Sequence, residues 1–260
     1  MKERIDKLLV MHGIYDNEEQ AKRAVMAGIV VADDTRVEKA GDKIDVNAVI
    51  RIKGENIPYV SRGGLKLEKA IKEFSLDMTG KTVIDVGAST GGFTDCALQH
   101  GARFVYAVDV GRNQLDWRLR MDSRVKSLEE LHIKNLTETD IDNEKGDYIV
   151  IDVSFISLTS VLPEVIRHLS KEGKIVALIK PQFEIEKSKI EKGGIIHESA
   201  LRKSAILKVI QSAADAGIYI EKIRVSPIKG TYGNIEYLAL FSLNEKDKNI
   251  NINYEIDNIE

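Results

Sequence analysis

Residues 82–93 read Thr-Val-Ile-Asp-Val-Gly-Ala-Ser-Thr-Gly-Gly-Phe, an apolar run that ends in a glycine-rich turn. The run is rich in β-branched residues and does not alternate with polar ones, as expected of a strand buried on both faces. Five more such runs follow, at 104–109, 148–153, 175–180, 218–225 and 235–242. Helical stretches fall between them, for example 158–169 and 198–216. Strands alternating with helices predict a doubly wound α/β sheet, Rossmann-like and mostly parallel. The last two runs are joined by Pro-Ile-Lys-Gly-Thr-Tyr-Gly, too short for a helical crossover, so the last strand should run antiparallel.

Upstream, residues 1–54 read as a small α+β unit. Ile5, Leu8 and Leu9 lie at helical spacing, and Gly13 ends that helix. Asp16 reads as an N-cap with Glu19 as its capping-box partner; Ala21, Ala24 and Val25 share the next helical face, which Gly28 closes. Short strands are expected at 29–31, around Val37 and at 49–52, with turns at Asp33-Asp34 and Ala40-Gly41-Asp42. So few elements bury little core, which makes this an accessory module. Residues 55–64, with Pro58 and Gly63-Gly64, read as a linker; 65–243 is the main body, and 244–260 is a polar acidic tail.

Composition narrows the class. With 43% hydrophobic and 30% charged residues the chain is globular rather than disordered. Cys96 stands alone, so no intrachain disulfide forms, which fits a reducing cytoplasm. The N-terminus is a poor signal peptide. The longest strongly apolar stretch, 149–163, carries Asp152 and is too short to span a bilayer, so no membrane role is expected. Net charge is −3, and residues 244–260 account for all of it with two Lys against five acids. Any nucleic-acid binding must then rest on local patches.

A glycine loop closing a first strand is where open α/β sheets bind nucleotides. The spacing from Gly87 is G-x-x-x-G-G, which does not match the dinucleotide pattern, and no P-loop lysine follows. Asp85-x-Gly87-x-Ser89-x-Gly91 is nearer to an S-adenosylmethionine loop, with Ser89 in the middle glycine slot. A carboxylate at the strand end repels a pyrophosphate and tolerates an ammonium and a sulfonium. Asp109 ends the second strand, where an acid can take both ribose hydroxyls of an adenosine. A tight turn with a capping Asp is the plain alternative, and Asp109 tips the balance toward a ligand.

Further polar residues sit at strand ends. Asp152 follows one apolar run, Lys180 precedes Pro181 after another, Glu236 interrupts the last, and Lys66 follows Gly63-Gly64. In a parallel sheet, Asp152 and Lys180 converge beside the glycine loop. A buried ion pair without chemistry would explain them. The sharper reading is a lysine acting as general base for a poorly acidic hydroxyl.

Five stretches in order, Ser61–Leu67 (SRGGLKL), Asp85–Asp95 (DVGASTGGFTD), Asp152–Leu158 (DVSFISL), Ile179–Glu184 (IKPQFE) and Gly233–Tyr237 (GNIEY), resemble the TlyA, or haemolysin A-like, family of ribosomal RNA 2'-O-methyltransferases. The resemblance implies an S4-like RNA-binding domain over 1–54 and an FtsJ-like methyltransferase domain after it. It implies a catalytic tetrad at Lys66, Asp152, Lys180 and Glu236. It places S-adenosylmethionine against Asp85, Gly87, Ala88, Ser89, Gly91, Gly92, Phe93 and Asp109. The implied substrate is cytidine ribose in ribosomal RNA or ribosomal subunits, with no metal. Two departures stand out. His132 occupies a position where many relatives carry Asn, and it reads as a loop residue. Residues 1–54 hold ten Lys/Arg against ten Asp/Glu, so RNA meets a local face, with Lys22, Arg23 and Arg51 as candidates and Arg62 beyond them, or binds weakly; a solvated mixed-charge surface is the plain alternative. The segment 187–203, with Lys187, Lys189, Lys192, Arg202 and Lys203, reads as a mobile basic flap over the substrate edge or as a plain flexible surface loop. Competing readings are an RNA-binding assembly factor with a non-catalytic fold, a haemolysin, and a nicotinamide oxidoreductase disfavoured by the loop spacing.

Overall fold

The computed structural model describes residues 2–15, 17–33, 35–53, 57–186, 188, 190, 194–230 and 233–244. The N-terminal unit runs β1 (Lys2–Arg4), α1 (Ile5–Met11), α2 (Glu18–Met26), β2 (Val30–Ala32), β3 (Thr35–Arg36), β4 (Lys43–Asp45) and β5 (Ile50–Ile52). Its core is small: Ile5, Leu8, Leu9, Ala21, Ala24, Val25 and Val30 carry most of it. β2 lies between β3 and β5, and β1 pairs with β4, all antiparallel. The N-cap of α2 is Asn17, whose side chain accepts the Gln20 N–H, and not Asp16, which lies outside the described residues. Glu19 consequently faces solvent and pairs with Arg23.

The expected linker is packed for much of its length. Tyr59 is buried and donates to Glu68, and the Val60 N–H donates to Asp95. α3 (Gly63–Phe74) begins at the glycine pair instead of after it. The glycines allow a close crossing. A Cβ on Gly64 would sit 2.3 Å from the Tyr59 ring, and one on Gly92 would lie 2.4 Å from Ser61 Oγ.

The main body follows as β6 (Thr82–Val86), α4 (Gly92–Gln99), β7 (Phe104–Val108), α5 (Trp117–Arg120), β8 (Val125–Leu128), β9 (Gly146–Ile151), α6 (Leu158–Val165), β10 (Leu169–Ile179), α7 (Pro181–Glu184), α8 (Ser199–Asp215), β11 (Tyr219–Val225) and β12 (Tyr237–Ser242). The sheet order is β11-β12-β10-β9-β6-β7-β8. The inner strands pair in parallel, and β12 runs antiparallel between β10 and β11. β8 is an edge strand that the apolar pattern does not announce, because its residues Val-Lys-Ser-Leu are all half-buried.

Period-two alternation splits the sheet into two cores. Ile84, Val86, Ile149, Ile151, Ile175 and Phe241 face α6 and α8. Val83, Val105, Val150, Val176, Leu178 and Leu238 face α3 and α4. Both faces are covered, which is why the strands read as unbroken apolar runs. β6 has β7 on one side and β9 on the other, so the chain reverses its strand order there. The crevice beyond their carboxyl ends is the expected ligand position.

Candidate active site

The loop after β6 is shaped by close approach. Gly87 has φ +84°, and a Cβ there would sit 2.7 Å from the Asp152 carbonyl oxygen. Ser89 takes φ +48°, so the middle slot keeps a glycine-like conformation although its residue is Ser. Its N–H donates to Asp109 Oδ2 at 2.8 Å, while Asp109 Oδ1 accepts from the Gly111 N–H at 2.7 Å. The carboxylate that ends β7 is thereby fixed in orientation. Gly91, at φ +95°, departs from expectation: a Cβ there would meet Leu119 Cδ1 at 2.3 Å, so this glycine packs against α5.

Two cavities meet at this loop. The larger, of about 440 Å³, is lined by Asp109, Val110, His132, Ile133 and Phe155 among others, and is mainly apolar. The smaller, of about 280 Å³, is lined by Ala88, Gly92, Phe93, Lys66, Lys180 and Glu236 among others. Gly87, Ser89, Asp152 and Ser154 line both, and so mark their junction. His132 also caps a short turn, accepting the Lys134 N–H on Nδ1.

Four charged side chains from four segments converge beside that junction. Lys66 Nζ, from α3, donates to Glu236 Oε2 at 2.9 Å and to Asp152 Oδ2 at 3.3 Å. Lys180 Nζ, after β10, lies 2.6 Å from Asp152 Oδ1 and donates to Ser154 Oγ at 2.8 Å. Lys66, Lys180 and Glu236 are all buried. Burial works to lower the Lys66 pKa, but the Asp152 and Glu236 charges prevail and raise it, so Lys66 is held as a cation. Burial likewise opposes ionisation of Asp152, yet the charges of Lys180 and Lys66 hold its carboxyl well below the usual range. Gly230 backs the cluster, since a Cβ there would collide with Glu236 Oε1.

Asp85 does not join the cavity wall. It is fully buried beneath the loop and accepts from Thr94 Oγ1 at 2.7 Å, while its other oxygen has no hydrogen-bond partner. Burial chiefly pushes its pKa up to about 7, with the Asp152 and Asp109 charges adding to the rise. Alternation explains the placement: Asp85 shares the Val83 face of β6, which points into the helical layer.

Glu184 joins two sequence motifs. Its carboxylate accepts from the Ser157 hydroxyl and from the Leu158 N–H at 2.8 Å, capping α6 from outside the helix. Burial nevertheless raises the Glu184 pKa, because these two bonds only partly oppose it. Ser154, Gly230 and Glu184 are further functional candidates; for Ser154 and Glu184 the available signal is a polar residue just after a strand that ends at the ligand edge, and Gly230 carries none. Phe155 is 92% exposed, with φ +64°, and its ring packs at 5.2 Å from Phe183.

The residues proposed to grip RNA are scattered. Lys22 lies 3.9 Å from both Asp6 and Glu18, and Arg23 pairs with Glu19 on the same exposed helix. Arg51 and Arg62 instead line the cleft between the N-terminal unit and the main body. Arg62 donates to the Gly13 carbonyl at 3.2 Å, bridging the two. Of the expected basic flap, Lys187, Lys189 and Lys192 lie outside the described residues. Its described part is fastened down: Asn234 bonds Gly194 and Ile196, and Arg202 bonds the Ile196 and His197 carbonyls. The tail 245–260 also lies outside the described residues. Among the described residues no helix is long and apolar enough to cross a membrane.

A family model for FtsJ-like methyltransferases matches residues 59–243. The chain is 38% identical over 235 residues to the 16S/23S rRNA (cytidine-2'-O)-methyltransferase TlyA of Mycobacterium tuberculosis, covering 90% of this chain and 87% of that one. This chain is an FtsJ-like methyltransferase of the TlyA family. TlyA relatives extend further: a candidate rRNA methyltransferase of Bacillus subtilis, YqxC, is 47% identical, covering 91% of this chain and 84% of that one. A solved candidate hemolysin from Streptococcus thermophilus is 44% identical, with a TM-score of 0.86, covering 98% of this chain and 94% of that one. A methyltransferase from Listeria monocytogenes, 15% identical with a TM-score of 0.51 over 71% of this chain and all of that one, shares the fold alone. As a TlyA-family methyltransferase the chain uses S-adenosylmethionine as its methyl donor. The donor's chemistry fits the residues present: a fixed carboxylate at Asp109 suits ribose hydroxyls, and the apolar wall by Val110, Ile133 and Phe155 suits an adenine ring.

Proposed function

We propose that the protein transfers a methyl group to the 2'-hydroxyl of cytidine riboses in ribosomal RNA. The observation that carries this reading is the buried Lys66–Asp152–Lys180–Glu236 cluster at the meeting point of two cavities. Bound S-adenosylmethionine supplies an electrophilic methyl group on a sulfonium. Asp109 and the backbone of Gly87–Ser89 would hold it in the larger cavity, and the smaller cavity would take the ribose.

A ribose hydroxyl is a weak nucleophile and must be aligned and relieved of its proton. Lys66, kept cationic by two carboxylates, orients the hydroxyl by donating to it. Lys180, held at the junction by Asp152 and Ser154, is the group placed to take the hydroxyl proton. Asp152 sits between the two lysines and fixes both, and Ser154 holds Lys180 toward the junction. Asp85, beneath the loop, accepts from Thr94 and so ties β6 to the first turn of α4.

Residues 1–54 are read as an S4-like RNA-binding unit, supported by their separate core and by Arg51 at the cleft. A cytoplasmic site of action accords with a ribosomal substrate. The test is transfer of tritiated methyl groups to separate small and large ribosomal subunits that lack the modification, followed by digestion to nucleosides. Label recovered as 2'-O-methylcytidine supports the reading; label on bases, or none on either subunit, refutes it.

A further inference from the structure

The cleft between the N-terminal unit and the main body has a volume of about 980 Å³. It shares Ser61, Arg62, Gly63, Ser89 and Thr90 with the smaller catalytic cavity, so the two are continuous. At its other side it merges with a smaller depression through Asp33, Val49, Arg51 and Gln114, and that depression is bounded by Trp117. Four arginines line the cleft, Arg51, Arg62, Arg112 and Arg118, against one carboxylate among its described residues, Asp33. Asp116, beside Trp117, is engaged by Arg118 at 3.0 Å. The Trp117 side chain is 71% exposed, an unusual position for the chain's one tryptophan.

We propose that this cleft is the track for the single-stranded RNA flanking the target nucleotide, with the arginines on its phosphates and Trp117 stacking a base at the far end. The proposal rests on the RNA-methylation reading above. The chemistry favours a single strand. Guanidinium groups spaced along a groove track a phosphate backbone, and an exposed indole offers a face to any unpaired base. A duplex presents no free base face. The arginines are exposed enough to turn toward a ligand: Arg112 is 73% and Arg118 56% exposed at the side chain. The arrangement also accounts for a module with no net charge. Arg51, from the N-terminal unit, lines the cleft with arginines contributed by the main body, so the basic surface is assembled across the two units.

The test uses the full chain, a fluorescein-labelled mixed-sequence 12-nucleotide RNA, the same RNA as a duplex, and unmodified ribosomal subunits. Trp117→Ala should weaken single-strand binding about tenfold, with Trp117→Phe restoring most of it. Arg112→Gln and Arg118→Gln should each flatten the salt dependence by about 0.7 in log–log slope. Lys171→Gln, an exposed charge near the amino end of β10, should leave the slope unchanged. S-adenosylmethionine affinity should stay the same throughout. Unchanged single-strand affinity and slope in the Trp117 and arginine variants would overturn the track, as would equal or tighter binding of the duplex. Failure of the wild-type chain to methylate either subunit would count against the methylation reading, a separate result from the binding comparison.

Discussion

Asp109 ends β7 with each carboxylate oxygen already accepting one backbone N–H, from Ser89 and from Gly111. Its orientation is set before any ligand arrives, which lowers the cost of binding. Asp109→Ala should weaken S-adenosylmethionine binding by about 1.5–3 kcal/mol, the scale of a charged hydrogen bond, as read by calorimetry. Unchanged affinity would remove Asp109 from the site. Asp85 behaves differently because it is buried with one oxygen lacking a hydrogen-bond partner. Its pKa rises from the ordinary 3.8 to about 7, so folding takes up a proton in this interval. The stability gained is full below about pH 4 and is lost as pH rises through 7. Asp85→Asn, neutral at every pH, should therefore gain on the wild type in denaturant titrations from pH 5 to pH 8. A gap that does not widen would mean that Asp85 stays ionised.

At the scale of elements, the strand-to-helix loops are held by partners remote in sequence. Glu184, in the turn after Lys180, caps the helix that begins after Ser154. The loop carrying Ser154 and the loop carrying Lys180 are thus tied together. Glu184→Ala should cost about 1–3 kcal/mol in thermal or chemical unfolding and should lower the rate of methyl transfer while the donor affinity holds. A variant of unchanged stability would show the cap to be idle. The elements were legible in the sequence where burial was two-sided: β6, β7, β9 and β12 read directly as apolar runs. β8 was not, because an edge strand with Lys126 and Ser127 lacks that signature. β1 and β4, short surface strands made mostly of charged residues, lack that signature too. The start of α3 is masked because Gly63-Gly64 look like turn residues, although their role is to admit Tyr59 and α4. The motif position of Asp85 points to the ligand, whereas counting by twos along β6 puts it on the Val83 face, turned inward.

The whole molecule couples two units at the catalytic edge. Arg62 binds the Gly13 carbonyl, and a Cβ on Gly13 would sit 2.5 Å from the Gly230 carbonyl, just behind Glu236. A chain starting at Pro58 should bind S-adenosylmethionine within about tenfold of the full chain, by calorimetry, yet lose methylation of ribosomal subunits. Full activity of the truncated chain would show residues 1–54 to be dispensable. The candidate catalytic side chains come from residues 66, 152, 180 and 236, so their convergence was legible only where topology could be foreseen. The parallel strands predicted that Asp152 and Lys180 would meet. Nothing in the local sequence specified that Lys66 would pair with Glu236, since one lies on a helix before the sheet and the other precedes its antiparallel strand. The central claim is that this cluster removes the ribose proton through Lys180. Single-turnover methyl transfer to unmodified subunits by Lys180→Arg tests it most directly, because guanidinium keeps the charge and cannot act as a base near neutral pH. The account predicts loss of transfer in Lys180→Arg, as in Lys180→Ala, with donor affinity within about tenfold of wild type. Near-normal rates in Lys180→Arg would contradict it and leave Lys180 as a structural cation.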